Sequence, residues 1–211
     1  GSEFMRRLPH LYPTAELLGG GPSDFDIAKI EEVEKIVQKF RPTCVINCAA
    51  YTAVDKAESE KKSAFQVNFV GVENLKKVSV KYPFSLVQFS TDQVFDGKKT
   101  TPYCEDDSAN PINFYAYTKY LAEEAIRNHP NVLILRVQWL HGKTKDRLTP
   151  LRHLKPFSPF VDHGGAPTRT EKVVDFTIRS VQKKLTGVYH LTHDNVSSWA
   201  QVFEFVKDRV N

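Results

Sequence analysis

Apolar residues along this chain recur at two spacings, and the switches between them set out the expected elements. Ile30, Val33, Val37 and Phe40 fall at helical spacing, with Ser23, Asp24 and Asp26 as candidate N-caps ahead of them and Arg41-Pro42 as a stop. A short unbroken run from Thr43 to Cys48 follows, the pattern of a buried strand. Lys61 to Tyr82 returns to helical spacing, with Ala64, Val67, Gly71, Leu75 and Val78 on one face. Asn68 interrupts that face and needs a partner, because an unpaired buried amide costs on the order of 1–3 kcal/mol. Leu86 to Phe89 reads as strand, Asn113 to Arg127 as helix, Val132 to Val137 as strand, Glu171 to Lys184 as helix, Val188 to Leu191 as strand and Ser198 to Val210 as helix. Near the start, Thr14 to Leu18 reads as a short strand ended by a Gly19-Gly20-Gly21-Pro22 turn. Gly1 to Phe4, ahead of Met5, reads as an expression remnant outside the fold.

Strands alternating with helices imply an α/β doubly wound parallel sheet. The expected division is a Rossmann-like, doubly wound region over residues 5–140 and a small mixed lobe with a returning sheet strand over 141–211. Composition narrows the classes of function. The formal charge of +4 is carried by scattered pairs such as Lys61-Lys62 and Lys183-Lys184, a solvated surface and not a nucleic-acid patch. No apolar run approaches the ~20 residues that span a bilayer. Cys44, Cys48 and Cys104 are an odd set without C-x-x-C spacing, and Cys44 and Cys48 flank a buried strand, so free core thiols in a reducing compartment are expected. The histidines His141, His163, His190 and His193 have no metal-ligand spacing, and no metal is expected. Gly142 to Pro159 is basic and Pro-rich (Lys143, Lys145, Arg147, Arg152, Lys155), suited either to a solvated loop or to a diphosphate.

The chemistry concentrates between Ser90 and Lys119. Ser90-Thr91-Asp92 ends a buried strand, and strand ends are where open α/β sheets bind ligands. Tyr115 and Lys119 stand four apart on a helix, so phenol and ammonium share one face. Moving a tyrosine from ~10 to ~7 takes roughly 4 kcal/mol, and a cation within about 4–6 Å supplies ~1–3 of those pH units. Tyr115 beside Lys119 is therefore a candidate general acid/base. Tyr-x-x-x-Lys alone also arises by chance in a Lys-rich chain; the preceding Ser-Thr-Asp is what gives it weight.

Ser90-Thr91-Asp92-Gln93-Val94-Phe95-Asp96-Gly97, Tyr103-Cys104-Glu105, Asn110-Pro111 and Tyr115…Lys119 resemble the dTDP-4-dehydrorhamnose reductase family of extended short-chain dehydrogenases/reductases. The resemblance extends to Val45-Ile46-Asn47-Cys48-Ala49-Ala50-Tyr51-Thr52-Ala53-Val54-Asp55, Leu135-Arg136…Trp139 and Gly165-Ala166-Pro167-Thr168, in family order. It implies a cytoplasmic enzyme that uses NADPH, with NADH as the alternative, to reduce the C4 ketone of a nucleotide-linked 6-deoxy-4-keto sugar. Thr91, Tyr115 and Lys119 would be catalytic. Ala49, Ala50, Tyr51 and Thr52 would contact the dinucleotide together with Tyr115 and Lys119, and Asp26 and Ile27 its adenine side. Thr91, Asp92 and Trp139 would position the sugar, and residues 141–211 would form the substrate lobe.

Departures accompany the resemblance. Gln93 stands where the family usually has Tyr, Ala116 where it has Gly and Thr118 where it has Ser. No G-x-x-G-x-x-G occurs in these 211 residues, so the family's first βα unit is expected to be missing and dinucleotide binding by this chain alone to be weak. A non-catalytic regulatory or scaffold homologue and an epimerase or dehydratase on the same fold are the rival readings, and a homodimer or a partner subunit is left open as the assembly.

Overall fold

The computed structural model describes residues 1–142 and 164–209, and the basic stretch from Lys143 to Pro159 lies outside the described residues. The chain opens with helix α1 (Ser2–Leu11), followed by α2 (Ile30–Phe40), strand β1 (Cys44–Asn47) and the single turn α3 (Val54–Ala57). Next come α4 (Lys61–Phe65), a π-helical turn over Gln66–Val70 and α5 (Gly71–Lys81). Strand β2 (Ser85–Thr91) runs into a 3₁₀ turn at Asp92–Val94, and α6 (Phe114–Ile126) leads to β3 (Val132–Val137). The remainder comprises the short strands β4 (Leu140–His141), β5 (Gly164–Gly165) and β6 (Thr168–Arg169), then α7 (Thr170–Gln182), β7 (Gly187–Leu191), β8 (Ser197–Ser198) and α8 (Trp199–Arg209).

Four strands form one parallel sheet in the order β1-β2-β3-β7. Its register aligns Asn47 with Gln88, Ser90 with Arg136 and Arg136 with His190. Strands of such a sheet bury both faces, and two cores result. Val33 and Val37 of α2, Leu75 and Val78 of α5, and Ala122 and Ile126 of α6 pack on Leu86, Val132 and Ile134. On the opposite face Val87, Leu133, Leu135 and Val137 meet Val173 of α7. Two small ladders, β4 with β6 and β5 with β8, carry the C-terminal part.

Most expected elements are present with shifts of one or two residues, but five expectations change. Gly1 to Phe4 belongs to the fold: Ser2 starts α1, Glu3 and Phe4 are buried, and the Phe4 ring lies 6.1 Å from that of Phe89. Arg7 ties the same helix to α7 through the Glu171 carbonyl at 2.9 Å and the Asp175 carboxylate. Thr14 to Leu18 forms no strand; Ala15 N donates to Tyr12 O at 3.1 Å and closes a turn where the strand was expected to begin. Helix α2 starts at Ile30 without a side-chain cap, because Asp24 accepts from Gly21 N at 2.7 Å and Asp26 from Ala28 N at 2.9 Å in the turns before it. The helix from Lys61 is not uniform but widens into the π turn around Asn68. The thiols are free, but only Cys44 packs against the core, half-buried on an edge strand of the described sheet; Cys48, past the end of β1, and Cys104 are exposed.

The glycine turn behaves as expected. Asp24 N donates to Gly21 O at 2.9 Å, and a Cβ on Gly20 would stand 2.4 Å from the Phe25 ring.

Candidate active site

The carboxyl end of β2 and the first turns of α6 are fastened together by side chains close to them in sequence. Asn113 caps α6 by accepting from Ala116 N at 2.8 Å, and its amide donates to Gln93 Oε1 at 3.0 Å. The Phe114 N–H donates to Glu58 Oε1 at 2.7 Å, linking the helix start to the end of α3. With its start held there, α6 lays Tyr115, Thr118, Lys119, Ala122 and Glu123 against the sheet.

Lys119 is 3% exposed, and its ammonium donates to the Phe89 carbonyl at 2.5 Å, two residues before Thr91. Burial pushes its pKa down to about 8, and the Glu123 carboxylate, one turn further along α6, partly offsets that loss. Tyr115, one turn before Lys119, is 9% exposed and packs among Ala57, Ala64 and Ala116, with Tyr51, Val54 and Phe114 around them. Three of those neighbours are alanines. Thr91 Oγ1 donates to Asp92 Oδ1 at 3.1 Å and accepts from Gln93 N at 3.2 Å.

Asp92 is also the anchor for the C-terminal part. Gln138 Nε2 donates to Asp92 Oδ2 at 2.8 Å, and Gln138 Oε1 accepts from Ala166 N at 2.7 Å. Trp139 adopts a left-handed backbone with φ of 43° and stacks on Trp199 at 4.2 Å. Gly165 lies so close to it that a Cβ there would meet the Trp139 ring at 2.6 Å. Asp92 and Trp139 thus stand at the junction of the sheet with β5, β6 and α8.

The loop after β1 is held by two buried amides. Asn47 Oδ1 accepts from Ala49 N at 3.1 Å, and Asn47 Nδ2 donates to Gln88 Oε1 at 2.7 Å. Asn68 accepts from Tyr51 N at 2.8 Å and donates to Tyr51 O at 3.1 Å and Thr118 Oγ1 at 3.0 Å. Ala49 and Ala50 are half-buried at this strand end, Thr52 is exposed, and the Tyr51 hydroxyl turns away to Glu60 at 2.7 Å. Further off, Asp26 lies in its turn, and Ile27 is buried in the core with its carbonyl accepting from Asn74 at 3.0 Å.

Sequence reasoning missed the polar layer beneath α6. Arg136 grips Glu123 with Nε at 3.1 and 3.2 Å and a terminal nitrogen at 2.7 Å, both side chains being almost wholly buried. Its other terminal nitrogen reaches His190 Nε2 at 3.2 Å and the Glu105 carbonyl at 3.4 Å, and the guanidinium lies 5.0 Å from the Phe95 ring centre. The signal available was an arginine inside the run Val132 to Val137 and a glutamate four residues after Lys119. In the same layer the Ser90 hydroxyl is buried with no partner among the described residues.

Among the described residues, an ammonium with one acceptor, an unpaired hydroxyl nearby in the strand and small residues at the end of β1 fit a flat, hydroxylated ligand such as the ribose and nicotinamide of a dinucleotide. Among the described residues no cluster of His, Cys, Asp and Glu could hold a metal ion, and no helix is long and apolar enough to cross a membrane.

The profile described as RmlD substrate binding domain matches residues 3–211. A dTDP-4-dehydrorhamnose reductase of Sinorhizobium fredii is 34% identical over 207 residues, which cover 92% of this chain and 70% of that protein. Across the curated relatives it matches, the chain spans about two thirds of their length. The crystal structure of a dTDP-4-dehydrorhamnose reductase from Clostridium acetobutylicum superposes with a TM-score of 0.92 at 30% identity, covering 98% of this chain and 75% of the other. That of dTDP-4-dehydrorhamnose reductase from Bacillus anthracis in complex with NADP superposes with a TM-score of 0.91 at 29% identity, covering 99% and 75%. Sequence and fold agree, and the chain belongs to the RmlD substrate binding domain family, that of the dTDP-4-dehydrorhamnose reductases.

Proposed function

We propose that this chain is the catalytic body of an NADPH-dependent reductase acting on the C4 ketone of a nucleotide-linked 6-deoxy-4-keto sugar. The observation that carries the reading is the buried Lys119 ammonium at the end of β2, one helical turn from Tyr115. NADPH, when bound, supplies the hydride. Tyr115 donates its phenolic proton to the oxygen that becomes alkoxide, and Lys119 keeps that phenol acidic and holds a ribose hydroxyl. The Thr91 hydroxyl, which in this structure donates to Asp92, turns its proton to the reacting oxygen.

Asp92 and Trp139, tied to the C-terminal part by Gln138 and Trp199, position the sugar. Ala49, Ala50, Tyr51 and Thr52 line the dinucleotide, with Asp26 and Ile27 toward its adenine. We place the protein in the cytoplasm, where its three free cysteines stay reduced.

The test is consumption of NADPH with a dTDP-linked 4-keto-6-deoxyhexose, followed by chromatography of the sugar. The chain is assayed at millimolar NADPH, since it contains no G-x-x-G-x-x-G. Stoichiometric formation of a 4-hydroxy sugar is expected. Isomerised keto sugar without NADPH consumption would replace the reading with that of an epimerase, and no conversion by folded protein would overturn it.

A further inference from the structure

Beneath α6, Arg136 holds a carboxylate that lies one helical turn from the Lys119 ammonium. Glu123 is fully buried, Arg136 occupies both of its oxygens, and Lys119 stands four residues earlier on the same helical face. An isolated buried ammonium is unfavourable enough that such groups commonly give up the proton. Phe89 O is a neutral acceptor and leaves the charge uncompensated.

Of the other charged groups on elements packed against α6, Lys61 of α4 lies over the Phe114 ring at the helix start, 5.3 Å from its centre. Lys76 of α5 donates to the Ala125 carbonyl near the far end of the helix, Glu58 caps Phe114, and Asp92 is engaged by Thr91 and Gln138. His190 of β7 and the Glu105 carbonyl lie behind Arg136, on its side away from Glu123. Glu123 is therefore the charge placed to act on Lys119.

We propose that Glu123, clamped by Arg136, is a positioning residue that keeps Lys119 charged at the crevice. The clamp matters for geometry. Three hydrogen bonds from a planar guanidinium fix the carboxylate in the sheet layer, so it draws on the Lys119 charge without pulling the ammonium away from Phe89. Arg136 is in turn held by Phe95, His190 and the Glu105 carbonyl, so the arrangement reaches from α6 across β3 to β7. The electrostatics hold whatever the reaction is; their catalytic meaning rests on the function proposed above.

The experiment is a pH titration of the Lys119 side chain by ¹³C NMR in the 211-residue chain, the resonance being assigned by its loss in Lys119→Met. Glu123→Gln is expected to lower the Lys119 midpoint by about one pH unit or more, a tenfold easier deprotonation. An unchanged midpoint in folded Glu123→Gln overturns the proposal. If that variant does not fold, the carboxyl resonance of Glu123 in the unaltered chain serves instead: it shifts with the Lys119 step if the two are coupled, and a flat response overturns the coupling. The alkaline limb of turnover should move with the NMR midpoint. A midpoint that moves while turnover does not supports the coupling and removes Lys119 from the reaction, so the two failures are told apart.

Discussion

The Asn68 side chain closes on both backbone groups of Tyr51, accepting from its N–H at 2.8 Å and donating to its carbonyl at 3.1 Å. The same amide reaches Thr118, whose hydroxyl donates to the carbonyl of Tyr115 at 2.7 Å. One buried side chain in the π turn thus joins the loop after β1 to the turn of α6 that carries the phenol.

Asn68→Ala leaves the Tyr51 N–H and carbonyl without that partner and is expected to destabilise the chain by roughly 1–3 kcal/mol. Urea unfolding followed by tryptophan fluorescence measures it. Asn68→Asp should do no better, since it keeps the acceptor but loses both donors and buries a carboxylate. Wild-type stability in either variant would mean that water replaces the amide.

Tyr115→Phe is expected to lower turnover by roughly 10²–10⁴, the usual worth of a positioned acid, in a variant that still folds. Steady-state kinetics beside a denaturant curve check both halves. A variant within a few-fold of wild type would assign the proton to another donor.

Lys119 has a folded pKa of about 8 against 10.5 unfolded. Between those values the unfolded chain binds more protons, so this group makes stability rise with pH through that window. Below about pH 8 both states are protonated and the buried charge weighs against folding by about 3 kcal/mol. Lys119→Met removes that term. The stability of wild type relative to Lys119→Met should climb by this amount from pH 8 to 10.5, measured by urea unfolding at fixed ionic strength, and a flat difference would show that the ammonium is solvated.

Asp96 titrates at about 2, held down first by the Tyr103 hydroxyl at 2.7 Å, then by the Lys98 N–H at 3.1 Å and the Asn110 amide at 3.1 Å. A depressed carboxylate stabilises the loop above its unfolded value near ~4 and ceases to do so as pH falls toward 2. Tyr103→Phe should raise the Asp96 midpoint and loosen the loop at a higher pH. Carboxyl NMR of both proteins reads the change directly.

Much of the fold was legible locally. Helical spacing at Ile30, Val33 and Val37 and the unbroken run Val132 to Val137 fix which faces are buried, and four-residue spacing alone puts Tyr115 and Lys119 on one face of α6. Period and spacing follow from backbone geometry within a few residues, so a single sequence determines them.

What only the tertiary structure decided depends on partners brought from a distance. Asn68 meets Thr118 across 50 positions, and Arg136 meets His190 across 54. The first follows from the packing of the π turn on α6 and the second from the register of β3 with β7, and no local pattern states either. Glu3 and Phe4 are buried because α1 docks beside Phe89 and α7, although the residues before Met5 read as a remnant. Cys48 reads as a core thiol yet is exposed, because it lies just past the last residue of β1. Most consequentially, Glu123 reads as one more charge on a helix, and only its burial against Arg136, one turn below Lys119, makes it the partner of the candidate site.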